Sequence, residues 1–133
     1  MYKLTVSGNF AAAHSIPTFP EGHKCRNIHG HTWEVEVTYF FNEIQKEGFC
    51  FDFGKLKVML ADILSRFDHG GQNNQTLNEI INDIPTAENL SSYIYHALES
   101  YTECNQGYGN LIGRKREVKV KESSNAWVIY DGK

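Results

Sequence analysis

The stretch His31-Thr32-Trp33-Glu34-Val35-Glu36-Val37-Thr38-Tyr39-Phe40-Phe41 decides the fold class. In an extended chain, Trp33, Val35, Val37, Tyr39 and Phe41 share one face, while Thr32, Glu34, Glu36 and Thr38 share the other. A strand that is apolar on one side and charged on the other suits an antiparallel sheet with one solvated face. Upstream, the alternation of Tyr2, Leu4 and Val6 predicts a strand from Tyr2 to Ala13, with a bulge expected at Gly8. Residues 15–28 contain Pro17, Pro20 and Gly22 and read as an irregular loop.

Downstream the period changes. Leu56, Met59, Leu60, Ile63, Leu64 and Phe67 follow the spacing of an amphipathic helix. Pro85-Thr86 opens a second helix, with Thr86 as N-cap and Glu88 in the first turn, where the helix dipole favours an anion. Leu90, Ile94, Ala97, Leu98 and Tyr101 continue its apolar stripe. Val118 and Val120 then alternate with Lys119 and Lys121. Ser123-Ser124-Asn125 is a turn, and Ala126 to Tyr130 is the last strand of a hairpin. The order strand, strand, helix, helix, strand, strand indicates an α+β domain: a four-stranded antiparallel sheet with two helices on one face. Such a sheet has two open edges, and pairing them around a symmetry axis predicts a homo-oligomer.

With 133 residues, 41% of them hydrophobic, the chain is expected to form a single domain over residues 1–133. Thirteen basic and 16 acidic residues give a net charge of −3, which argues against a nucleic-acid partner held by phosphate neutralisation. Apolar runs such as Val58-Met59-Leu60-Ala61 are too short to span a membrane, so no membrane partner is expected. The first nine residues contain no apolar core of a signal peptide. Three cysteines cannot all pair within the chain, so a reduced, cytoplasmic protein is expected.

His29-Gly30-His31 places two imidazoles on one side of an extended chain, with Gly30 leaving space between them. His14 lies at the end of the first strand, and antiparallel pairing with the second would bring it to His29 and His31. Three neutral imidazoles with an open fourth position are the arrangement of a catalytic zinc. The alternative is a chance His-X-His beside an ordinary polar His14. His23 and His96 lack this geometry.

Cys25, flanked by Lys24 and Arg26, has surroundings that favour a thiolate and suits a base or nucleophile. It would equally serve as a fourth ligand in a closed Cys-His₃ structural site, and spacing does not separate the two. Cys50, among Phe49, Phe51 and Phe53, reads as a core residue, and Cys104 lies in a polar loop. Asp68-His69 pairs a carboxylate with an imidazole that it can orient; the simpler reading is a histidine at a helix C-terminus. Glu122 continues the parity of Val118 and Val120, so it lies either in water at the strand end or in a pocket. In a pocket it would accept from two adjacent N–H donors of a ligand, since an unpaired buried carboxylate is costly. Strand parity alone slightly favours water.

Together these pieces resemble the 6-pyruvoyltetrahydropterin synthase family. The resemblance is carried by His14 after Phe10-Ala11-Ala12-Ala13, and by Gly22-His23-Lys24-Cys25-Arg26-Asn27-Ile28-His29-Gly30-His31. It continues through Phe51-Asp52-Phe53, Asp68-His69, Pro85-Thr86-Ala87-Glu88-Asn89-Leu90 and Lys121-Glu122. The short step from Cys25 to His29 is similar to the bacterial 6-carboxytetrahydropterin branch, which serves queuosine biosynthesis. The resemblance implies the tunnelling fold, in which protomers join their sheets into a barrel, commonly as trimers stacked into hexamers, with active sites between subunits. It implies 7,8-dihydroneopterin triphosphate as substrate and zinc as cofactor, held by His14, His29 and His31. Cys25 would be the general base, Asp68 and His69 a proton relay, and Glu122 the group that grips the 2-amino and N3 edge of the pterin. Thr86 would line the pterin pocket besides capping its helix, and Asp52 would cap a helix or support a zinc histidine; capping is the first expectation for both.

The implied products are 6-carboxy-5,6,7,8-tetrahydropterin, acetaldehyde and triphosphate. Alternatives are 6-pyruvoyltetrahydropterin synthesis, a non-catalytic zinc module, and a pterin-binding protein without turnover. One departure from the family pattern is the loop Gly70-Gly71-Gln72-Asn73-Asn74-Gln75-Thr76, which lengthens the step from His69 to Leu77-Asn78. Residues 103–116 have no assigned role.

Overall fold

A computed structural model describes residues 1–133. The 31–41 stretch lies within strand β2 (His29–Phe41), which pairs with β1 (Tyr2–His14) on one side and β3 (Arg116–Ser123) on the other. Strand β4 (Ala126–Tyr130) completes an antiparallel sheet of order β1-β2-β3-β4. The four-stranded antiparallel sheet with helices therefore stands as expected. Both outer strands have one edge without a partner in the chain.

Helix α1 (Phe53–Leu64) lies over β1, and α3 (Ala87–Cys104) lies over β3 and β4. Each begins at an expected cap. Asp52 accepts from the Gly54 amide at 2.7 Å, and Thr86 accepts from the Asn89 amide at 3.2 Å. Between them α2 (Leu77–Ile80) is a single turn, too short for a period to reveal it. The alternating face of β2 packs under the helices. Trp33, Val35, Val37 and Tyr39 are almost wholly buried with Leu56, Met59 and Ile63 of α1 and Leu90, Ile94 and Leu98 of α3.

The expected bulge at Gly8 is absent, because β1 and β2 pair without interruption from Tyr2–Phe41 to His14–His29. Gly8 serves packing instead: a Cβ there would lie 3.0 Å from Leu64 Cδ1, so its absence lets α1 settle on the strand. The sheet's irregularity lies at the other end of the chain, between Lys121 and Ser123 of β3. The first helix also ends earlier than its apolar pattern, at Leu64. Phe67 is buried beyond its end, with its ring 5.2 Å from that of Phe10.

Residues 103–116 fold onto the core rather than extending from it. Leu111 is fully buried, and the Tyr108 hydroxyl donates to the Lys55 carbonyl at 3.0 Å. Buried Arg116 opens β3 and ties it to α3, with an ion pair to Glu99 at 2.8 Å and donation to the Tyr95 carbonyl. No helix is long and apolar enough to cross a membrane.

Candidate metal centre and adjoining groove

The register of β1 and β2 sets His14 directly opposite His29, at the end of the sheet beyond Trp33. Side chains at 29, 31 and 33 share the helix-facing side of β2, so His31 stands between His29 and the indole. Ring centroids are 4.6 Å apart for His14–His29, 4.7 Å for His29–His31 and 5.2 Å for His14–His31. Trp33 meets His14 and His31 edge-on at 4.9 and 5.4 Å and forms an apolar floor.

Backbone carbonyls orient two of these rings. His14 Nδ1 lies 2.7 Å from the Pro85 oxygen, and His29 Nδ1 lies 2.7 Å from the Asn27 oxygen. A carbonyl only accepts, so each Nδ1 carries the proton and each Nε2 presents its lone pair. The Nε2 atoms of His14 and His31 are buried without a hydrogen-bond partner. An unpaired buried polar atom costs about 1–3 kcal/mol, so two in one place suit a group that accepts both lone pairs. Glu122 joins them. One ligand atom from each of His14, His29, His31 and Glu122 lies within 4.8 Å of the others. The donor set of imidazoles and a carboxylate fits a divalent cation such as zinc.

Glu122 reaches this position at the irregular end of β3, where the ladder shifts register between Lys121 and Ser123. Its Oε1 lies 3.2 Å from His31 Nε2, but the pair lacks hydrogen-bond alignment. The carboxylate therefore turns toward the histidines rather than extending into water as parity slightly favoured.

Burial lowers the pKa values of His14 and His31 below 6.5, opposed by the Pro85 hydrogen bond at His14 and by the Glu122 charge at both. The neutral form required of a ligand is thereby favoured. In the metal-free chain the unfolded state binds more protons below pH 6.5 than the folded state does. The contribution of these two histidines to stability should therefore be level above that pH and decline as pH falls through and below it. Denaturant unfolding at several pH values checks this; a rise in stability on acidification over that range would contradict it.

The other expected site residues are placed as follows. Cys25 is half-buried in a short 3-10 turn, Lys24–Arg26, and its carbonyl accepts from the Ile16 amide at 2.8 Å. That bond closes the 15–28 loop back onto the end of β1. The Cys25 sulfur is not among the clustered ligand atoms. Thr86 caps α3, and the preceding Pro85 supplies the carbonyl that orients His14. Asp52 caps α1. Asp68 Oδ1 accepts from the Ala11 amide at 2.9 Å and so pins its loop to β1. It lies 3.9 Å from His69 Nε2, beyond hydrogen-bond range.

His69 is held at φ 52°, a left-handed conformation that costs a non-glycine residue of order 1–3 kcal/mol. Its imidazole is mostly exposed. It lines an open groove of about 620 Å³ together with Gly30, His31, Asn74, Gln75 and Thr76. That size lies within the usual range for small-molecule sites. The lengthened loop after His69 therefore forms one wall of the groove.

Gly70 makes the loop's turn possible. A Cβ at Gly70 would sit 2.3 Å from the Gln75 amide nitrogen, and its φ is +79°. Gly70→Ala should destabilise the protein by about 1–3 kcal/mol and displace His69. Denaturant unfolding tests the first expectation, and unchanged stability would contradict it.

Asn78 is a positioning residue that sequence reasoning missed. Its side-chain amide accepts from the Ser15 backbone N–H and donates to the Ser15 carbonyl, both at 2.9 Å. This fixes α2 against the residue that follows His14. Leu77-Asn78 was visible as a pair, but nothing local pointed to a contact across 63 positions.

Comparison with known proteins agrees with this architecture. The family model described as 6-pyruvoyl tetrahydropterin synthase matches residues 3–133. An Archaeoglobus fulgidus protein provisionally named 6-carboxy-5,6,7,8-tetrahydropterin synthase is 35% identical over 125 residues, covering 93% of this chain and 90% of its own. The Bacillus subtilis protein named 6-carboxy-5,6,7,8-tetrahydropterin synthase is 25% identical over 136 residues, covering 97% and 84%. Among solved structures, the Caenorhabditis elegans 6-pyruvoyl tetrahydropterin synthase superposes with a TM-score of 0.74 at 21% identity, covering 99% of this chain and 96% of its own.

Proposed function

The chain belongs to the 6-pyruvoyl tetrahydropterin synthase family, and from that membership we propose that it is a zinc-dependent lyase, a 6-carboxytetrahydropterin synthase. It would convert 7,8-dihydroneopterin triphosphate and one water to 6-carboxy-5,6,7,8-tetrahydropterin, acetaldehyde and triphosphate, as a step of queuosine biosynthesis. The observation that carries the proposal is the convergence of His14, His29 and His31, the first and last with unpartnered Nε2 atoms, beside a groove lined by His31 and His69.

In this proposal His14, His29 and His31 hold the zinc, which when bound supplies Lewis acidity toward the hydroxyls of the substrate side chain. Cys25 is the base that takes a side-chain proton, a role for which its half-buried sulfur is free of the ligand cluster. Asp68 holds the His69 loop in place, and the imidazole passes protons at the groove. Glu122 accepts from the 2-amino and N3 edge of the pterin, and Thr86 supports that pocket through its helix cap.

Cys25 forms neither a hydrogen bond nor an ion pair with Asp68 or His69 within the chain. The relay is therefore proposed to close between copies, in a single-domain homo-oligomer, trimer or hexamer, joined through the open edges of β1 and β4.

The test is incubation of the zinc-loaded protein with 7,8-dihydroneopterin triphosphate, followed by mass spectrometry. Stoichiometric acetaldehyde and carboxytetrahydropterin support the proposal. A pyruvoyl product without acetaldehyde would assign the 6-pyruvoyltetrahydropterin reaction instead, and tight pterin binding without turnover would make this a binding protein.

A further inference from the structure

We infer that Glu122 is an exchangeable fourth ligand of the metal centre: it binds the cation in the free enzyme and moves to the pterin edge when substrate enters. The substrate half of this inference rests on the function proposed above; the ligand half rests only on the geometry of the histidine cluster.

Zinc–ligand bonds of 2.0–2.2 Å in a tetrahedral site place neighbouring donor atoms about 3.3–3.6 Å apart. His31 Nε2 and Glu122 Oε1 are 3.2 Å apart, close to the edge of such a tetrahedron. If the pair existed for its own sake, the imidazole would donate to the carboxylate in line. It does not, and His31 Nε2 is left without a hydrogen-bond partner. The two atoms converge on shared space along with His14 and His29.

Charge points the same way. Three neutral imidazoles leave a divalent cation uncompensated in a half-buried site floored by Trp33, and one carboxylate halves that charge. Cys25, the other candidate for the fourth position, keeps its sulfur out of the cluster.

The site also lets Glu122 leave. It sits where β3 and β4 lose register, one residue from the end of the strand, and its carboxylate is about one third exposed. Its close ionic partner is His31. A ligand offering two adjacent N–H donors would compete for the carboxylate as its hydroxyls competed for the vacated position. Pterin recognition and opening of the metal site would then be one event. A molecule with the diol but without the N–H edge would not open the site.

Cobalt(II) reports both halves without turnover. The protein is loaded with cobalt, and visible absorption is recorded for wild type, Glu122→Ala and Glu122→Gln. Chelator competition supplies the affinities. The expected result is that Glu122→Ala moves the ligand-field bands and weakens metal binding by more than the about 10–100-fold that loss of an outer partner costs. Saturating wild type with neopterin, an oxidised diol-bearing pterin, should also shift its bands, and 1,2-propanediol should not.

Superimposable bands for wild type and Glu122→Ala at saturating cobalt would overturn the ligand role, even if affinity fell, because a nearby charge lowers affinity without changing the ligand field. Neopterin binding, seen by its fluorescence, without a band shift would overturn the exchange. Should Glu122→Ala not fold by circular dichroism, Glu122→Asp shortens the side chain by one methylene and is read by the same bands. Failure of the product assay with intact band shifts would refute the proposed reaction and leave the ligand role standing.

Discussion

Replacing His14 by alanine is expected to empty the metal centre, abolish turnover and lower the stability of the fold. His14 is fully buried, holds the Pro85 carbonyl through Nδ1 and presents Nε2 to the cluster. Its removal takes away one of three imidazoles and leaves a buried carbonyl unpaired, at about 1–3 kcal/mol. Loss of an outer partner of a metal ligand typically costs 10–100-fold, and loss of the ligand itself should exceed that.

The folding cost and the metal cost are separable. His29 is only half-buried, and its imidazole bonds to the Asn27 carbonyl in the adjoining loop. His29→Ala should therefore lose the metal to the same degree with a smaller shift in Tm. Metal content after dialysis, measured with thermal unfolding on both variants, decides the matter. Full metal occupancy in either variant would remove that histidine from the proposed ligand set.

Much of this arrangement was legible because one strand carries two messages at once. The alternation from Trp33 to Phe41 announces a half-buried antiparallel strand, and the same alternation extended backward puts His31 and His29 on the buried side. With β1 expected as its antiparallel neighbour, His14 had to arrive near them, and it faces His29 across the ladder. The helix starts were equally readable, because Asp52 and Thr86 cap through local bonds within two or three residues.

What sequence did not reveal is tertiary. Gly8 looked like a bulge because a glycine in a strand often marks one. Its reason is Leu64, which sits far away in sequence on α1. Glu122 was ambiguous because parity presumes a regular ladder, and the ladder slips at that residue. Asn78 serves Ser15 across a single-turn helix, a contact that no periodicity encodes.

The separation of metal binding from proton transfer rests on Cys25→Ala. Turnover should fall by about 10²–10⁴-fold, the usual contribution of a positioned base, while metal content and Tm stay near those of the parent protein. The structural argument is that the sulfur stands outside the group of converging ligand atoms, while its backbone carbonyl anchors the 15–28 loop through the Ile16 amide. Alanine keeps that backbone bond, so the loop should hold its course and only the thiol is lost. A closed Cys-His₃ centre predicts the opposite pattern, because metal and fold would then fail together. The two outcomes differ in the metal analysis of a purified, folded variant before any substrate is added. If Cys25→Ala loses its metal, the thiol is a ligand, and the base in the proposed reaction must be sought elsewhere, with His69 at the groove the next candidate.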